Sequence, residues 1–116
     1  ALEARVSRGL VEMAQSVGAS IVAYAVDYDA ARLISAFRPS TPIYVGVSDE
    51  SLASSLNVLW GITPILVKRS SSEEEGLLAT EEELRARGLA GPGSLVVELT
   101  WSADRSTAVV RVRQLF

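Results

Sequence analysis

The chain has 116 residues, a formal net charge of −3, and neither Cys nor His. Its length fits one domain that buries about two-thirds of the surface of its unfolded chain, and the missing residue types exclude disulfides, thiolate or imidazole metal sites, Cys nucleophiles and His bases. The acidic balance argues against a protein that binds a nucleic-acid backbone, because such proteins usually carry a basic stripe.

The first predicted element is a helix from Leu2 to Val17. Apolar residues recur there at helical spacing, which predicts a stripe that packs on the rest of the domain. The stripe consists of Leu2, Val6, Leu10, Met13 and Val17. Gly18 follows the helix and suits its end, because glycine tolerates the left-handed conformation needed there.

A βαβ unit is predicted next. The runs Ile21–Val26 and Ile43–Val47 contain no charged residue, which is typical of parallel strands covered by helices on both faces. Between them, apolar residues recur at helical spacing: Ala30, Ala31, Leu33, Ile34 and Phe37. This helix must end before Pro39, and either Asp29 or Asp27 is expected to cap its start.

A third helix and a third strand follow. Ser48 is expected to cap a helix that runs through Leu56 to Trp60, with acidic residues in its first turn. We expect Trp60 to lie in the core. The third strand is predicted at Thr63–Val67, with Pro64 near its start, where a missing N–H is tolerated.

The segment 70–87 is rich in Ser and Glu. Ser72 and Thr80 each begin a capping-box pattern, with a Glu three residues later. One helix or two consecutive helices are therefore both compatible with the pattern. The glutamate runs 73–75 and 81–83 are interpreted as solvated first turns, which the helix dipole favours.

Two strands complete the pattern. Leu95–Trp101 is mostly apolar, and Thr107–Phe116 alternates between an apolar face and a basic face: Ala108, Val110 and Val112 against Arg111 and Arg113. The alternation predicts an edge strand joined to the fourth strand by an antiparallel hairpin. The element order then predicts a three-layer α/β/α sandwich, with a mixed five-stranded sheet of four parallel strands and one antiparallel edge strand.

In such a sheet, ligands bind beyond the carboxyl ends of the strands, at the switch in strand order. Four acidic residues are expected at this end: Asp27, Asp29, Asp49 and Glu50. Grouped carboxylates suit a metal site or an acid/base site. The alternative is that they cap helices and stabilise helix dipoles.

One segment combines two cations and three hydroxyls ahead of a predicted helix: Lys68, Arg69, Ser70, Ser71 and Ser72. It is a weak candidate for anion binding, with a solvated loop as the alternative, because it lacks the glycines of a P-loop. Trp101 is either a stacking platform or an interface anchor. No pair of nucleophile and base emerges, so no catalytic residue is predicted in this segment.

The chain is expected to be cytoplasmic and to contact no membrane. No apolar run approaches the roughly 18 residues needed to cross a bilayer, and no signal peptide is recognised. The sequence begins with Ala inside a helical pattern. We interpret residues 1–116 as a single domain taken from a longer chain.

Three segments carry a resemblance to a known family. Residues 30–43 read AARLISAFRPSTPI, residues 56–67 contain the Trp60-Gly61 pair and Pro64, and residues 93–97 read GSLVV. In this order they resemble the C-terminal domain of pyruvate kinase. The likeness covers essentially the whole chain.

The resemblance implies a non-catalytic role for this segment. In that family, phosphoryl transfer from phosphoenolpyruvate to ADP, with Mg²⁺ and usually K⁺, takes place in a barrel domain and its lid. The C-terminal domain forms subunit contacts in a homotetramer and often binds a phosphorylated allosteric effector. No cofactor and no metal is therefore expected in this segment. The implied effector-pocket candidates are Asp27, Tyr28, Asp29, Ala30, Trp101, Ser102, Arg105 and Ser106.

The candidate pocket departs from the pattern of family members that fructose bisphosphate activates. Their phosphate loop contains Ser, Thr and Gly, whereas this chain places Asp27 and Asp29 there. Two carboxylates repel a phosphate, since like charges about 4 Å apart cost several kcal/mol at intermediate dielectric. A shorter loop, 102–106, replaces the Gly-rich loop and leaves Arg105 with two serines as phosphate partners. Activation by fructose bisphosphate is therefore predicted to be absent.

Two alternatives to a kinase domain stay open. One is a free-standing relative that binds small molecules or interacts with a partner protein. The other is a small enzyme with a site at Asp27, Asp29 and Asp49. In each of these interpretations, the last strand leaves one edge of the sheet free. Pairing of this edge with the same strand of a second copy predicts a two-fold dimer contact.

Overall fold

The structure is a computed structural model that describes residues 2–24 and 27–115. The helices are α1 (Leu2–Val17), α2 (Tyr28–Ala36), α3 (Glu50–Leu56) and α4 (Glu73–Ala86). The strands are β1 (Ser20–Tyr24), β2 (Ile43–Val47), β3 (Ile62–Leu66), β4 (Leu95–Trp101) and β5 (Ala108–Gln114). Ala25 and Val26, predicted as the end of the first strand, and Phe116, predicted in the last, lie outside the described residues.

The five strands form one sheet in the order β3-β2-β1-β4-β5. The first four are parallel, and β5 runs antiparallel to β4, with Trp101 opposite Ala108 at the hairpin. The predicted fold class is confirmed. Pro64 lies in β3, which is an edge strand of the sheet, where a missing N–H is tolerated.

Two apolar clusters cover the two faces of the sheet. One joins α1, α2 and α3 to residues such as Ile21 and Ala23, and the other joins α4 to residues such as Val22 and Tyr24. Because successive side chains of a strand point to opposite faces, β1 contributes to both clusters. Every residue of β2 is buried. The prediction that these two strands are covered on both faces is confirmed.

Helix α1 has the predicted bounds but packs through a different face. Its buried residues are Ser7, Leu10, Val11 and Ala14. Three members of the predicted stripe, Leu2, Met13 and Val17, are between 40% and 48% exposed. The stripe prediction is therefore wrong except at Leu10 and the partly buried Val6. Small side chains at positions 7 and 14 let the helix approach the sheet closely, so the buried face is not the most apolar one.

Two aromatic residues that the pattern places with the core are exposed instead. Helix α3 ends at Leu56, and the chain reaches β3 through a turn in which Trp60 is 45% exposed. The Ser35 hydroxyl donates to the Trp60 carbonyl at 2.7 Å, which holds the backbone while the indole stays outside. The Arg38 guanidinium lies 5.5 Å from the indole centroid. Phe37 ends α2 and is 40% exposed. The core prediction for Trp60 is wrong.

The segment rich in Ser and Glu forms one helix. Ser72 caps α4 by accepting a hydrogen bond from the Glu75 N–H at 3.1 Å. Thr80 starts no second helix, since it is buried and its hydroxyl donates to the Gly76 carbonyl at 2.7 Å. Glu81, interpreted from sequence as part of a solvated first turn, is only 2% exposed. That interpretation is wrong because position 81 belongs to the face of α4 that packs on the sheet.

Candidate functional site

The candidate site lies where the strand order switches. From β1 the chain moves to β2 and β3 on one side, and α4 then returns it to β4 on the other side of β1. In open α/β sheets the ligand crevice is expected beyond the carboxyl ends of the strands at such a switch, which in this sheet lies between β1 and β4. Two tertiary hydrogen bonds tie the start of α4 to this place. The Ser70 N–H donates to the Tyr24 hydroxyl at 3.3 Å, and the Trp101 N–H donates to a Glu73 carboxylate oxygen at 3.1 Å.

The loop after β4 is organised around Asp104. One oxygen of this carboxylate accepts from the Ser106 N–H at 3.0 Å, the Ser106 hydroxyl at 2.7 Å and the Ser102 hydroxyl at 2.8 Å. Hydrogen bonds from Ser106 and then Ser102 lower the pKa of Asp104 to about 2. Both hydroxyls that the sequence suggests as phosphate donors are therefore already bound to an anion within the loop.

Arg105 lies directly above Trp101. Its guanidinium carbon is 5.0 Å from the centroid of the Trp101 ring, within the range of a cation–π contact. Arg105 also has a φ of +63°, a left-handed conformation that is uncommon for residues other than glycine. Trp101 is partly buried and packs against the first apolar cluster. It is thus a stacking platform for its own loop and also part of the packing beneath it.

The loop after β1 places a carboxylate at the start of α2. Asp27 is the N-cap and accepts from the Ala30 N–H at 2.8 Å, while Asp29 lies in the first turn. Tyr28 is 38% exposed. Of the two cap alternatives, Asp27 holds the position. Its carboxylate occupies the helix N-terminus, which is where an external anion would otherwise bind.

The segment 68–72 also satisfies its own hydroxyls. The Ser71 hydroxyl donates to a Glu75 carboxylate oxygen at 2.7 Å, and the Ser70 hydroxyl reaches the Lys68 carbonyl at 3.5 Å. Ser72 caps α4. Lys68 and Arg69 are exposed. The segment therefore offers two solvated cations, with three hydroxyls turned to local partners.

The four acidic residues considered as a metal or acid/base site have separate local roles. The third helix is capped by Asp49, which accepts from the Ser51 N–H at 2.8 Å, and not by Ser48 as predicted. Asp27 caps α2, and Asp29 and Glu50 lie in first turns. Within residues 2–24 and 27–115, no group of three or more Asp or Glu side chains is close enough to hold a metal ion.

An open groove of about 890 Å³ lies between α3 and α4 at the carboxyl end of β3, which is an edge strand of the sheet. Its lining residues are Ser48, Glu50, Leu66, Val67, Lys68, Ala79, Glu82, Glu83 and Ala86. Three carboxylates against one ammonium make this groove unfavourable for a phosphorylated ligand. The crevice expected at the strand switch therefore remains the candidate for an effector.

Sequence reasoning missed three residues of the site. Tyr24 and Glu73 belong to the site through hydrogen bonds to residues far away in the sequence, and no local sequence pattern predicts those bonds. Asp104 had a detectable signal. A Ser-x-Asp-x-Ser spacing favours a turn in which the carboxylate accepts from neighbouring backbone and hydroxyl groups.

The sequence matches the family model described as pyruvate kinase, alpha/beta domain, over residues 4–112. It is 34% identical to the pyruvate kinase of Aeropyrum pernix over 111 residues, which are 96% of this chain and 24% of that one. It is 37% identical to the Pyrobaculum aerophilum pyruvate kinase over 70 residues, 60% of this chain and 15% of that one.

The fold also matches a solved structure. The crystal structure of pyruvate kinase from Pyrobaculum aerophilum superimposes with a TM-score of 0.77 at 30% identity, covering 97% of this chain and 25% of that chain. The chain thus spans about a quarter of the length of these relatives. None of the helices in the described part of the chain has both the length and the hydropathy needed to cross a membrane.

Proposed function

This chain belongs to the pyruvate kinase alpha/beta domain family, and from that membership we propose that it is the C-terminal assembly domain of a longer pyruvate kinase and that it carries an effector crevice. The observation that carries the proposal is one of coverage: almost all of this chain matches about a quarter of each relative. The parent would transfer a phosphoryl group from phosphoenolpyruvate to ADP, giving pyruvate and ATP in glycolysis. Its catalytic residues, and the Mg²⁺ and K⁺ it would use, would belong to the other three quarters.

The proposal is tested on the natural gene product that contains this chain. We expect a subunit mass about four times that of this chain, and phosphoryl transfer from phosphoenolpyruvate to ADP in the presence of Mg²⁺ and K⁺. A cytoplasmic location follows from such a role. A gene product of only 116 residues without this activity would contradict the proposal and favour a free-standing binding or interaction module.

We further propose that the crevice does not accept fructose bisphosphate. Apart from Arg105, which stacks on Trp101, the groups there that could bind a phosphate are already held by carboxylates of this chain. Asp27 caps α2, Glu73 accepts the Trp101 N–H, and Asp104 accepts both serine hydroxyls of its loop. A phosphate would have to displace these carboxylates or approach them closely. Like charges at about 4 Å repel by roughly 4 kcal/mol at an effective dielectric of about 20.

This proposal predicts an unchanged activity curve. Addition of fructose bisphosphate to the gene product should leave the dependence of rate on phosphoenolpyruvate concentration unaltered. The thermal midpoint of the 116-residue chain should not rise with the same ligand. A clear activation, or a midpoint that increases with ligand concentration, would contradict the prediction. The two readings together separate binding without regulation from absence of binding.

The free edge of β5 supports a proposal for assembly. Within the described residues, β5 pairs only with β4, and it contains neither Pro nor Lys, residues that commonly protect edges. Pairing with β5 of a second copy would give an antiparallel ladder about a two-fold axis. We propose that this contact is one of the subunit interfaces, and that the parent is a homotetramer.

The hydrogen-bond phase of the hairpin identifies which backbone groups face outward. The Ser102 N–H donates to the Thr107 carbonyl, and the Leu115 N–H donates to the Ser94 carbonyl. Since such bonds alternate along an antiparallel pair, odd-numbered residues of β5 bond to β4. Even-numbered residues, Val112 among them, direct their N–H groups to the free edge.

Val112→Pro is therefore expected to weaken the dimer without removing a bond to β4. Sedimentation equilibrium should show a dimer for the natural sequence and a shift toward monomer for the variant, with both folded by circular dichroism. Val112→Ala is the matched control, because it shortens the same exposed side chain but keeps the N–H that faces the free edge. A natural chain that stays monomeric at high concentration, or equal effects of the two substitutions, would contradict the proposed interface.

A further inference from the structure

Two carboxyl groups are buried together between α4 and the sheet. Glu81, from α4, is 2% exposed, and Glu98, from β4, is 1% exposed. They are the only buried charged residues among those the structure describes. Their surroundings are apolar, since α4 packs here through residues such as Leu77 and Leu84. Burial of two charged carboxylates side by side is costly unless cations or protons compensate them.

Two guanidinium groups from β5 supply part of that compensation. Arg111 donates to one oxygen of Glu98 through Nε at 3.1 Å and also lies 2.9 Å from it through Nη2. The same Nη2 binds Glu74 at 2.6 Å. Arg113 lies 3.4 Å from Glu81 and 3.7 Å from the second oxygen of Glu98. The cluster thus joins three carboxylates to two guanidiniums, which leaves one uncompensated negative charge.

The unpaired carboxyl oxygens indicate where a proton is bound. Neither oxygen of Glu81, nor the second oxygen of Glu98, has a hydrogen-bond partner among the described residues. Two carboxylates only accept hydrogen bonds, so the pair can be joined only if one of them is protonated. A proton on Glu81 would donate to Glu98 and neutralise the excess charge. Burial, together with that hydrogen bond to Glu98, raises the pKa of Glu81 to about 8.

We infer that Glu81 and Glu98 share one proton at neutral pH and form a pH-sensitive clasp that holds α4 against the β4–β5 hairpin. The clasp is closed while the proton is present and is weakened when it leaves, because three carboxylates then face only the two guanidinium groups of Arg111 and Arg113. Its location matters for the rest of the molecule. The same hairpin carries the loop of the candidate crevice and the free edge of β5.

Among the described residues, the other ionisable groups that face the pair are phenols, guanidiniums and one paired carboxylate. On the sheet face that α4 covers, β1 and β2 contribute the phenols Tyr24 and Tyr44. Strand β3 contributes no ionisable residue, and β5 contributes only the two arginines. From α4 itself, Glu74 is compensated by Arg111.

The direction of the pH dependence follows from the raised pKa. The folded chain keeps a proton on Glu81 up to about pH 8, whereas the unfolded chain releases it near the ordinary value of 4.5. Between these values the folded state binds more protons, so stability is greatest at the acidic end and falls as pH rises toward 8. The low pKa of Asp104 acts in the opposite direction, but only below about pH 4.

Infrared spectroscopy of the natural chain tests the shared proton directly. We expect a carboxylic-acid C=O band from a buried group at pH 6, and its loss at pH 9.5. Over the range from pH 5.5 to 8.5, the folding equilibrium constant should fall by at least about tenfold. The protection factors of the β5 amides, which correct for the intrinsic rise of exchange with pH, should fall over the same range.

Glu81→Gln removes the proton but keeps a donor for Glu98. This variant should lack the carboxylic-acid band at pH 6 and show a flat stability profile above pH 5.5. Glu82→Gln is the matched control, because it makes the same change at an exposed position of the same helix. It should keep both the band and the slope. The inference is overturned if the natural chain shows no such band at pH 6, a reading that needs no variant to fold, or if Glu81→Gln keeps the natural slope.

Discussion

Replacement of Gly76 by Ala is expected to lower the free energy of unfolding by about 3 kcal/mol, because α4 lies directly on the ring of Tyr24. A methyl group at position 76 would overlap three carbons of that ring, Cγ, Cδ2 and Cε2. The ring has little freedom to move. Tyr24 is 6% exposed, and its hydroxyl accepts the Ser70 N–H. Helix α4 must therefore shift away from β1, which loosens the second apolar cluster.

Gly9→Ala provides the matched control for this substitution. Gly9 lies inside α1, and a methyl group there meets no atom within 4 Å. Alanine is favoured over glycine inside a helix by roughly 0.5 to 1 kcal/mol, so this variant should be slightly more stable than the natural chain. Urea unfolding of the two variants measures both effects. Equal stabilities would show that the close approach of α4 to Tyr24 is not required by the fold.

The second large effect is expected from Arg111→Met, which removes the closest cation from the buried carboxylate of Glu98. Breaking a buried ion pair by removing one partner typically costs about 3 kcal/mol or more. The hydrogen bond to Glu74 raises the pKa of Arg111 above its ordinary value, so this arginine stays charged at every pH of interest. We expect the loss to be greater at pH 8.5 than at pH 5.5, because protonation of the carboxyl pair relieves the missing cation at low pH.

Arg87→Met is the control for Arg111→Met. Arg87 forms an ion pair with Glu83 at 2.9 Å, and both side chains are about 40% exposed. Exposed pairs of this kind contribute less than about 1 kcal/mol. Chemical unfolding at the two pH values distinguishes the variants. A loss for Arg111→Met no larger than that for Arg87→Met would mean that Glu98 does not depend on its cation.

Local patterns predicted much of this architecture. A charge-free run identified β2 with its observed bounds, and a mostly apolar run identified β4 with its observed bounds. Gly18 follows α1 with the positive φ that glycine permits, as predicted. The Ser72 cap was also predicted. These signals succeed because the interactions behind them join residues only a few positions apart.

In the candidate site, too, the contact between residues close in sequence was predicted and the contacts between distant residues were not. The Asp27 cap joins residues three positions apart and was among the two alternatives that the sequence offered. The bond from Trp101 to Glu73 spans 28 positions, and the bond from Ser70 to Tyr24 spans 46. Neither was predictable without knowledge of the strand order, because each depends on where α4 crosses the sheet.

The sequence by itself therefore determined the fold class, the family, the order of the elements and the bounds of α1, β2 and β4, since apolar runs, helix caps and helix-ending glycines act over short distances. Three features were decided only by the tertiary structure: the buried face of α1, the exposure of Trp60, and the contact of Glu81 with Glu98 inside the protein. The physical reason is that burial is a property of two surfaces in contact. From sequence alone Glu81 is interpreted as solvated, because nothing near it in the chain indicates that Arg111 and Arg113 of β5 lie beside it.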